Sequence, residues 1–231
     1  KNLSMAILAA QLCGLKSNKI LKKLTKIKNI NGRLELIRKF PNNIKVFIDY
    51  AHTPEALSEV IKSIKQKFKN NISLVFGCGG ERDLKKRPLM AKIAKLYCKK
   101  IYVTDDNPRK ENPKKIRREI INNLRGATYF DIGNRSQAIK QAILNAESNE
   151  IILIAGKGHE RYQDYGNKII FNLDKKIIKN LKINKIKIDK RKQNFISNLK
   201  ILNQITRNKK IYKFNGLTLN SREVKKNNLF L

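Results

Sequence analysis

The sequence predicts an α/β protein built on a Rossmann-like, mostly parallel sheet with helices on both faces. Two observations carry that expectation. From residue 44 onward, apolar runs of strand length alternate with longer segments whose apolar residues recur at helical spacing. Behind nearly every run stands a cluster of Gly, Asp, Asn or Pro, the punctuation of a loop leaving a strand. Alternation of this kind builds parallel sheets, and ligands then bind at the carboxyl ends of the strands.

The elements follow in order. Residues 1–30 read as an amphipathic helix over 3–15 and a lysine-rich helix–turn stretch, the tail of a preceding domain. Strands are expected at 46–49, 72–76, 101–104, 128–131 and 151–155, with helices at 54–68, 88–97, 113–124 and 136–146. A short hairpin-like strand at 165–172 and a closing helix at 173–181 complete a domain spanning 31–181. Residues 182–200, rich in Lys and Asn, read as a linker. Residues 201–231 resume with short alternating runs at 211–214 and 217–219 and stop inside an apolar run, as a truncated further domain would.

Composition narrows the function classes. The chain has 231 residues, room for one full α/β domain plus attachments. Its three cysteines, Cys13, Cys78 and Cys98, lack CxxC or metal-ligand spacing, which argues against a disulfide framework and a zinc site. Apolar runs such as 5–10 fall far short of the roughly 20 residues that span a bilayer, so a cytoplasmic protein without membrane attachment is expected. The formal charge of +34 raises the possibility of a basic nucleic-acid-binding module. Lysine outnumbers arginine about threefold, however, and is spread over the whole chain with abundant Asn and Ile, the pattern of AT-rich coding. Aromatic interleaving of the RNA-binding type is missing as well. No nucleic-acid partner is therefore expected.

Four constellations stand at strand ends. Gly32-Arg33-Leu34-Glu35 precedes Asp49-Tyr50-Ala51-His52-Thr53-Pro54, where a carboxylate and an imidazole meet the start of a helix; an Asp there can accept from ribose hydroxyls. Helix capping by Asp49 and Thr53, with His52 merely packed, explains the same residues. Phe76-Gly77-Cys78-Gly79-Gly80-Glu81-Arg82-Asp83, followed by Lys86-Arg87-Pro88, lets backbone amides approach an anion and offers the Arg82 fork, although a solvated glycine turn is the alternative. It matches neither the P-loop nor GxGxxG. Thr104-Asp105-Asp106-Asn107-Pro108-Arg109 can hold an amide and a guanidinium at fixed separation, or be a plain turn. In Ala155-Gly156-Lys157-Gly158-His159-Glu160 the carboxylate of Glu160 could hold a cationic amine.

In combination and order, GRLE, DYAHTP, FGCGGERD, DNPR and GKGHE resemble the last domain of the MurE-type Mur ligases, over about residues 1–180. The resemblance implies ATP-dependent ligation of meso-diaminopimelate to UDP-MurNAc-L-Ala-D-Glu through an acyl phosphate, in peptidoglycan synthesis. It places Arg33 towards the ATP phosphates and Asp49 towards the ribose, and counts His52 among the ATP-binding residues. It assigns Arg82, Asp106, Asn107, Pro108, Arg109, Gly156 and Glu160 to the diaminopimelate pocket. The family's P-loop, Mg2+ ligands and modified lysine belong to an upstream central domain, so no catalytic residue is expected here and the 231 residues alone should not ligate. Leu219-Asn220-Ser221-Arg222-Glu223-Val224 and Asn228-Leu229-Phe230-Leu231 resemble the opening of MurF-type ligases, implying a fusion or read-through fragment.

Overall fold

In a computed structural model the chain forms two units, residues 1–182 and 183–231. The structure describes residues 2–24, 26 and 30–182, together with the backbone of 216–218 and 228–230. The expected linker from 183 to 200 and the run at 211–214 lie outside the described residues. In the second unit, β9 (Gly216–Thr218) and β10 (Asn228–Phe230) pair in parallel.

The first unit opens with α1 (Asn2–Leu12) and α2 (Ser17–Leu24). The expected amphipathic helix to residue 15 is corrected on two counts. Gly14 takes φ +83 and ends the helix early, and α1 has no polar face, because Asn2, Ser4 and Gln11 are its polar residues. Leu3, Met5, Leu8 and Leu12 stand exposed.

A six-stranded sheet follows: β1 (Glu35–Phe40), β2 (Ile44–Ile48), β3 (Ile72–Phe76), β4 (Lys100–Val103), β5 (Tyr129–Asp131) and β6 (Ile151–Ile154). Its order is β1-β2-β6-β3-β4-β5, parallel throughout except for β1, which pairs antiparallel with β2 at one edge. Sequence reading passed over β1 because ELIRKF mixes charge and apolar residues without clean alternation, as a half-covered edge strand does. The chain steps outwards from β3 to β5 and then returns to insert β6 between β2 and β3. That reversal creates the crevice in which open α/β sheets bind ligands.

Helices α3 (Pro54–Phe68), α4 (Lys86–Tyr97) and α5 (Pro113–Ile121) pack side by side, and α6 (Arg135–Leu144) packs with α7 (Asp174–Asn180). Alternation along the buried strands divides the core accordingly. Phe47, Leu74, Phe76, Val103 and Leu153 join Leu57, Ile61, Met90, Ala94 and Ile116 of the first helix layer. Residues of opposite parity, such as Val75 and Ile152, are left to the layer of α6. Strands buried on both sides explain the near-continuous apolar runs. The hairpin of β7 (Tyr162–Asp164) and β8 (Ile169–Phe171) begins three residues before the expected position.

Candidate functional site

Loops leaving the carboxyl ends of β2, β3, β4 and β6 meet around one cavity of about 530 Å³. Of the ten residues singled out from the sequence, His52, Arg82, Asp106, Asn107, Arg109, Gly156 and Glu160 line it. Pro108, Arg33 and Asp49 do not.

Close backbone packing sets the loops against one another. At Gly80 an added Cβ would lie 1.9 Å from the Pro108 carbonyl oxygen, and at Gly77 it would lie 2.1 Å from that of Thr104. Glycine is therefore required at both positions for contact between loops, and the sequence-level reading of these residues as an anion cradle missed that reason. Gly80 N–H donates to the Asn107 carbonyl at 2.9 Å, and Arg109 Nη1 donates to the Gly80 carbonyl at 2.7 Å. Pro108 is buried in this seam and acts as its spacer.

Asn107 joins three segments. Its Oδ1 accepts from Lys157 Nζ at 2.8 Å and from Asp164 N–H at 3.0 Å, while Nδ2 donates to Glu160 Oε2 at 3.1 Å. Gln163 of β7 donates to the carbonyls of both Asp105 and Asp106 at 2.9 Å, so the hairpin holds the β4 loop from behind. Lys157, 1% exposed, also donates to Glu160 Oε2 at 2.8 Å. Burial alone would raise the Glu160 carboxyl, but the Lys157 hydrogen bond and charge and the Asn107 amide together hold it below its ordinary value. The neighbouring Tyr50 phenol is pushed up by burial and by the Glu160 charge. Asp106 is buried, and its Oδ2 would sit 2.7 Å from a Cβ at Gly156, which takes φ +107. Behind it Asp105 is raised by burial despite its ion pair with Arg117 and a 3.0 Å hydrogen bond from Tyr165.

Arg87, fully buried, donates through Nη2 to Glu111 Oε2 at 2.8 Å and through Nη1 to Glu119 at 2.7 Å. Glu111 accepts in turn from the Glu81 backbone, linking the β3 loop to the segment behind Arg109. Nothing in the sequence separated Arg87 from its neighbours Lys85 and Lys86. Lys86 donates to the His52 carbonyl at 3.1 Å on the cavity's rim. Tyr50 and Lys157 were present in the quoted motifs but carried no role.

On the β1 side, Arg33 is exposed, with its guanidinium carbon 4.8 Å from the Tyr50 ring centroid. Asp49 is buried, accepting from Leu34 N–H at 2.6 Å and from Ala51 N–H at 2.7 Å. A carboxylate offers about four acceptor sites, so two remain for a hydroxyl. His52 bonds back to the Tyr50 carbonyl at 2.9 Å, and of the two expected caps Thr53 alone caps α3, accepting from Ala56 N–H, while Asp49 does not. Cys78 is inert, its thiol pushed up to about 12 by burial. Among the described residues no group of three or more His, Cys, Asp or Glu side chains is placed to hold a metal ion.

Guanidinium and carboxylate groups thus face one cavity at the carboxyl ends of a parallel sheet, where open α/β folds bind ligands. Residues 32–158 match the family described as Mur ligase, glutamate ligase domain, and the chain belongs to that family. It is 44% identical over 182 residues to the UDP-N-acetylmuramoyl-L-alanyl-D-glutamate--2,6-diaminopimelate ligase of Rickettsia felis, covering 78% of this chain and 34% of that protein. Identity to ligase 1 of the same name from Clostridium acetobutylicum is 39% over 166 residues, 71% of this chain and 34% of the relative. The chain thus spans about a third of the length of these curated relatives. A solved structure of a 2,6-diaminopimelate ligase aligns with TM-score 0.60 and 35% identity, over 75% of this chain and 36% of that one. The alanine ligase MurC of Thermotoga maritima, at 22% identity and TM-score 0.54, shares the fold over 67% of this chain and 33% of its own.

Proposed function

We propose that this chain supplies the amino-acid-binding domain, and part of the ATP site, of a ligase that adds meso-diaminopimelate to UDP-MurNAc-L-Ala-D-Glu. The carrying observation is the convergence of Arg82, Arg109, Asp106 and Glu160 on one cavity, which offers cations to carboxylates and carboxylates to ammonium groups. Likeness to relatives bearing that name, at 44% identity, supports the same substrate. In such a reaction the D-glutamyl carboxylate is first activated as an acyl phosphate. The diaminopimelate amine then attacks the acyl carbon, a C–N bond forms, the C–O bond to phosphate breaks, and the amine sheds a proton.

Residues of this chain bind and orient. Glu160, kept ionised by Lys157, holds an ammonium group, and the arginines take carboxylates. Positioning of that kind is worth up to about 7–11 kcal/mol of a barrier. Arg33 and Asp49 face ATP from outside the amino-acid cavity. The Mg2+ that accompanies ATP would be held by the upstream domain, since among the described residues no three His, Cys, Asp or Glu side chains are grouped to hold it. Ligation then requires the upstream domain carrying the P-loop, and segment 201–231 is proposed as the opening of a second, MurF-like ligase domain. Calorimetric titration of the 231-residue chain with meso-diaminopimelate, and in parallel with lysine, tests the reading. Saturable, diaminopimelate-selective binding is expected; equal binding of both, or of neither, would sink it.

A further inference from the structure

Arg135 occupies the first turn of α6, where the helix dipole disfavours a cation, and it is fully buried. Both features oppose the placement of a charge there. Its guanidinium is nonetheless committed: Nε donates to Asp174 Oδ1 at 3.0 Å, and Nη2 donates to Asp174 Oδ2 at 2.8 Å and to the Ala155 carbonyl at 3.0 Å. Nη1, also buried, has no hydrogen-bond partner among the described residues. Ala155 is the last residue before Gly156 turns the chain into the cavity, and its own N–H is fixed on Val75 of β3. Beyond Asp174, the carboxylates whose charge reaches Arg135 include those of Asp106 and Glu160, both on the cavity. A packed hydrophobic pair often replaces a buried ion pair without loss of stability, so stability alone is a weak account of this one.

We propose that Arg135 is a positioning residue for the amino-acid pocket. Clamped by Asp174 of α7, it fixes the Ala155 carbonyl and with it the entry angle of the Gly156–Glu160 loop, and it sets a buried positive charge beneath Asp106 and Glu160. The closing helix α7 thereby becomes part of the pocket's support without touching the ligand. Asp174 is the partner that makes a charge tolerable at this depth. This inference rests on the pocket reading above.

The test uses the whole 231-residue chain with Arg135→Lys, which keeps the charge and loses the fork, and with the paired replacement Arg135→Met, Asp174→Leu, which restores packing without charge. Thermal unfolding, calorimetric titration with meso-diaminopimelate and amide hydrogen exchange are measured on each. Expected are affinities about tenfold weaker in both variants and faster exchange at residues 156–160, with exchange in α3 and β3 unchanged. The paired variant should regain thermal stability but not affinity, a split that a merely structural residue would not give. Affinity returning together with stability in the paired variant would overturn the clamp, and so would unchanged loop protection. Should Arg135→Lys fail to fold, the paired variant decides alone. A wild-type chain with a protected loop and no diaminopimelate binding would overturn the pocket reading instead, and with it the functional half of this inference.

Discussion

Lys157 and Glu160 meet at 2.8 Å one helical turn's spacing apart, the lysine 1% exposed and the glutamate at the cavity wall. The pair helps hold the Glu160 carboxyl below its ordinary value although burial acts in the opposite direction. Asn107 bonds to both partners, so the loops after β4 and β6 share one network.

That pairing predicts a pH dependence. The Glu160 carboxyl lies below its ordinary value of 4.5 in the folded chain. A depressed acid contributes stability that is fully present above the unfolded value and is lost as pH falls through the folded one. Diaminopimelate binding should therefore persist down to about the ordinary glutamate range and fade below it. In Lys157→Met only the Asn107 and Tyr50 hydrogen bonds still oppose burial, so the loss should begin at a higher pH. Titration of both chains between about pH 3 and 7 compares the midpoints; superimposed profiles would remove Lys157 from this role.

The seam between loops makes a second prediction. Gly80→Ala brings a methyl group against the Pro108 carbonyl, which is backbone and cannot swing aside. Overpacking of this kind costs about 1–3 kcal/mol, or about 2–12 °C in Tm for a unit of this size. Diaminopimelate affinity should fall with it, because Arg109 hydrogen-bonds the displaced Gly80 carbonyl. Differential scanning calorimetry of the variant against the wild type decides, and an unchanged Tm would refute the seam.

Much of this was legible in the sequence, and the parts that were not share a cause. Strand–helix alternation gave the sheet because parallel strands buried on both faces must be apolar throughout, as Ile72–Phe76 and Ile151–Ile154 are. Turn chemistry located the four loops. What stayed hidden depended on long-range partners. Arg87 and Arg135 carry no local mark of burial, because their partners Glu111 and Asp174 arrive from 24 and 39 residues away. Asp49 caps no helix: it accepts from Leu34 N–H, fifteen residues away in sequence, and from Ala51 N–H, a pairing its local pattern did not show. Strand β1 lacked alternation because one of its sides meets no further strand.

The charge of +34 makes a third prediction. Several of the described cations are engaged internally, among them Lys99 and Lys100 with Glu147 and Lys157 with Glu160. Lysines and arginines are also scattered along α2, α3 and α5 instead of gathering on one face. Retention on duplex DNA should be weak at about 150 mM salt, where screening acts within about 8 Å. A filter-binding titration showing tight, sequence-selective retention would reopen the nucleic-acid reading.

The proposed function makes Arg109 the residue that would select the substrate. Meso-diaminopimelate differs from lysine by a second carboxylate at the distal carbon, so selection requires a cation where lysine presents only its ammonium group. Arg109 sits on the cavity at φ +53, with its N–H on the Asp164 carbonyl and Nη1 on the Gly80 carbonyl. Those contacts orient the guanidinium and leave its other N–H groups for a ligand. A hydrogen bond to a charged group contributes roughly 1.5–3 kcal/mol, so Arg109→Ala should lower kcat/KM for diaminopimelate by about ten- to a hundredfold in the ligase that includes the upstream domain. Lysine should gain little, because removing the cation creates no partner for its ammonium. Because Arg109 also braces Gly80, Arg109→Lys serves as the second variant: it retains charge near the carboxylate and should recover part of the activity, though not the bidentate geometry. Steady-state kinetics with both amino acids checks the assignment. An unchanged diaminopimelate value in folded Arg109→Ala would take Arg109 out of the pocket, and a wild-type enzyme preferring lysine would overturn the substrate itself.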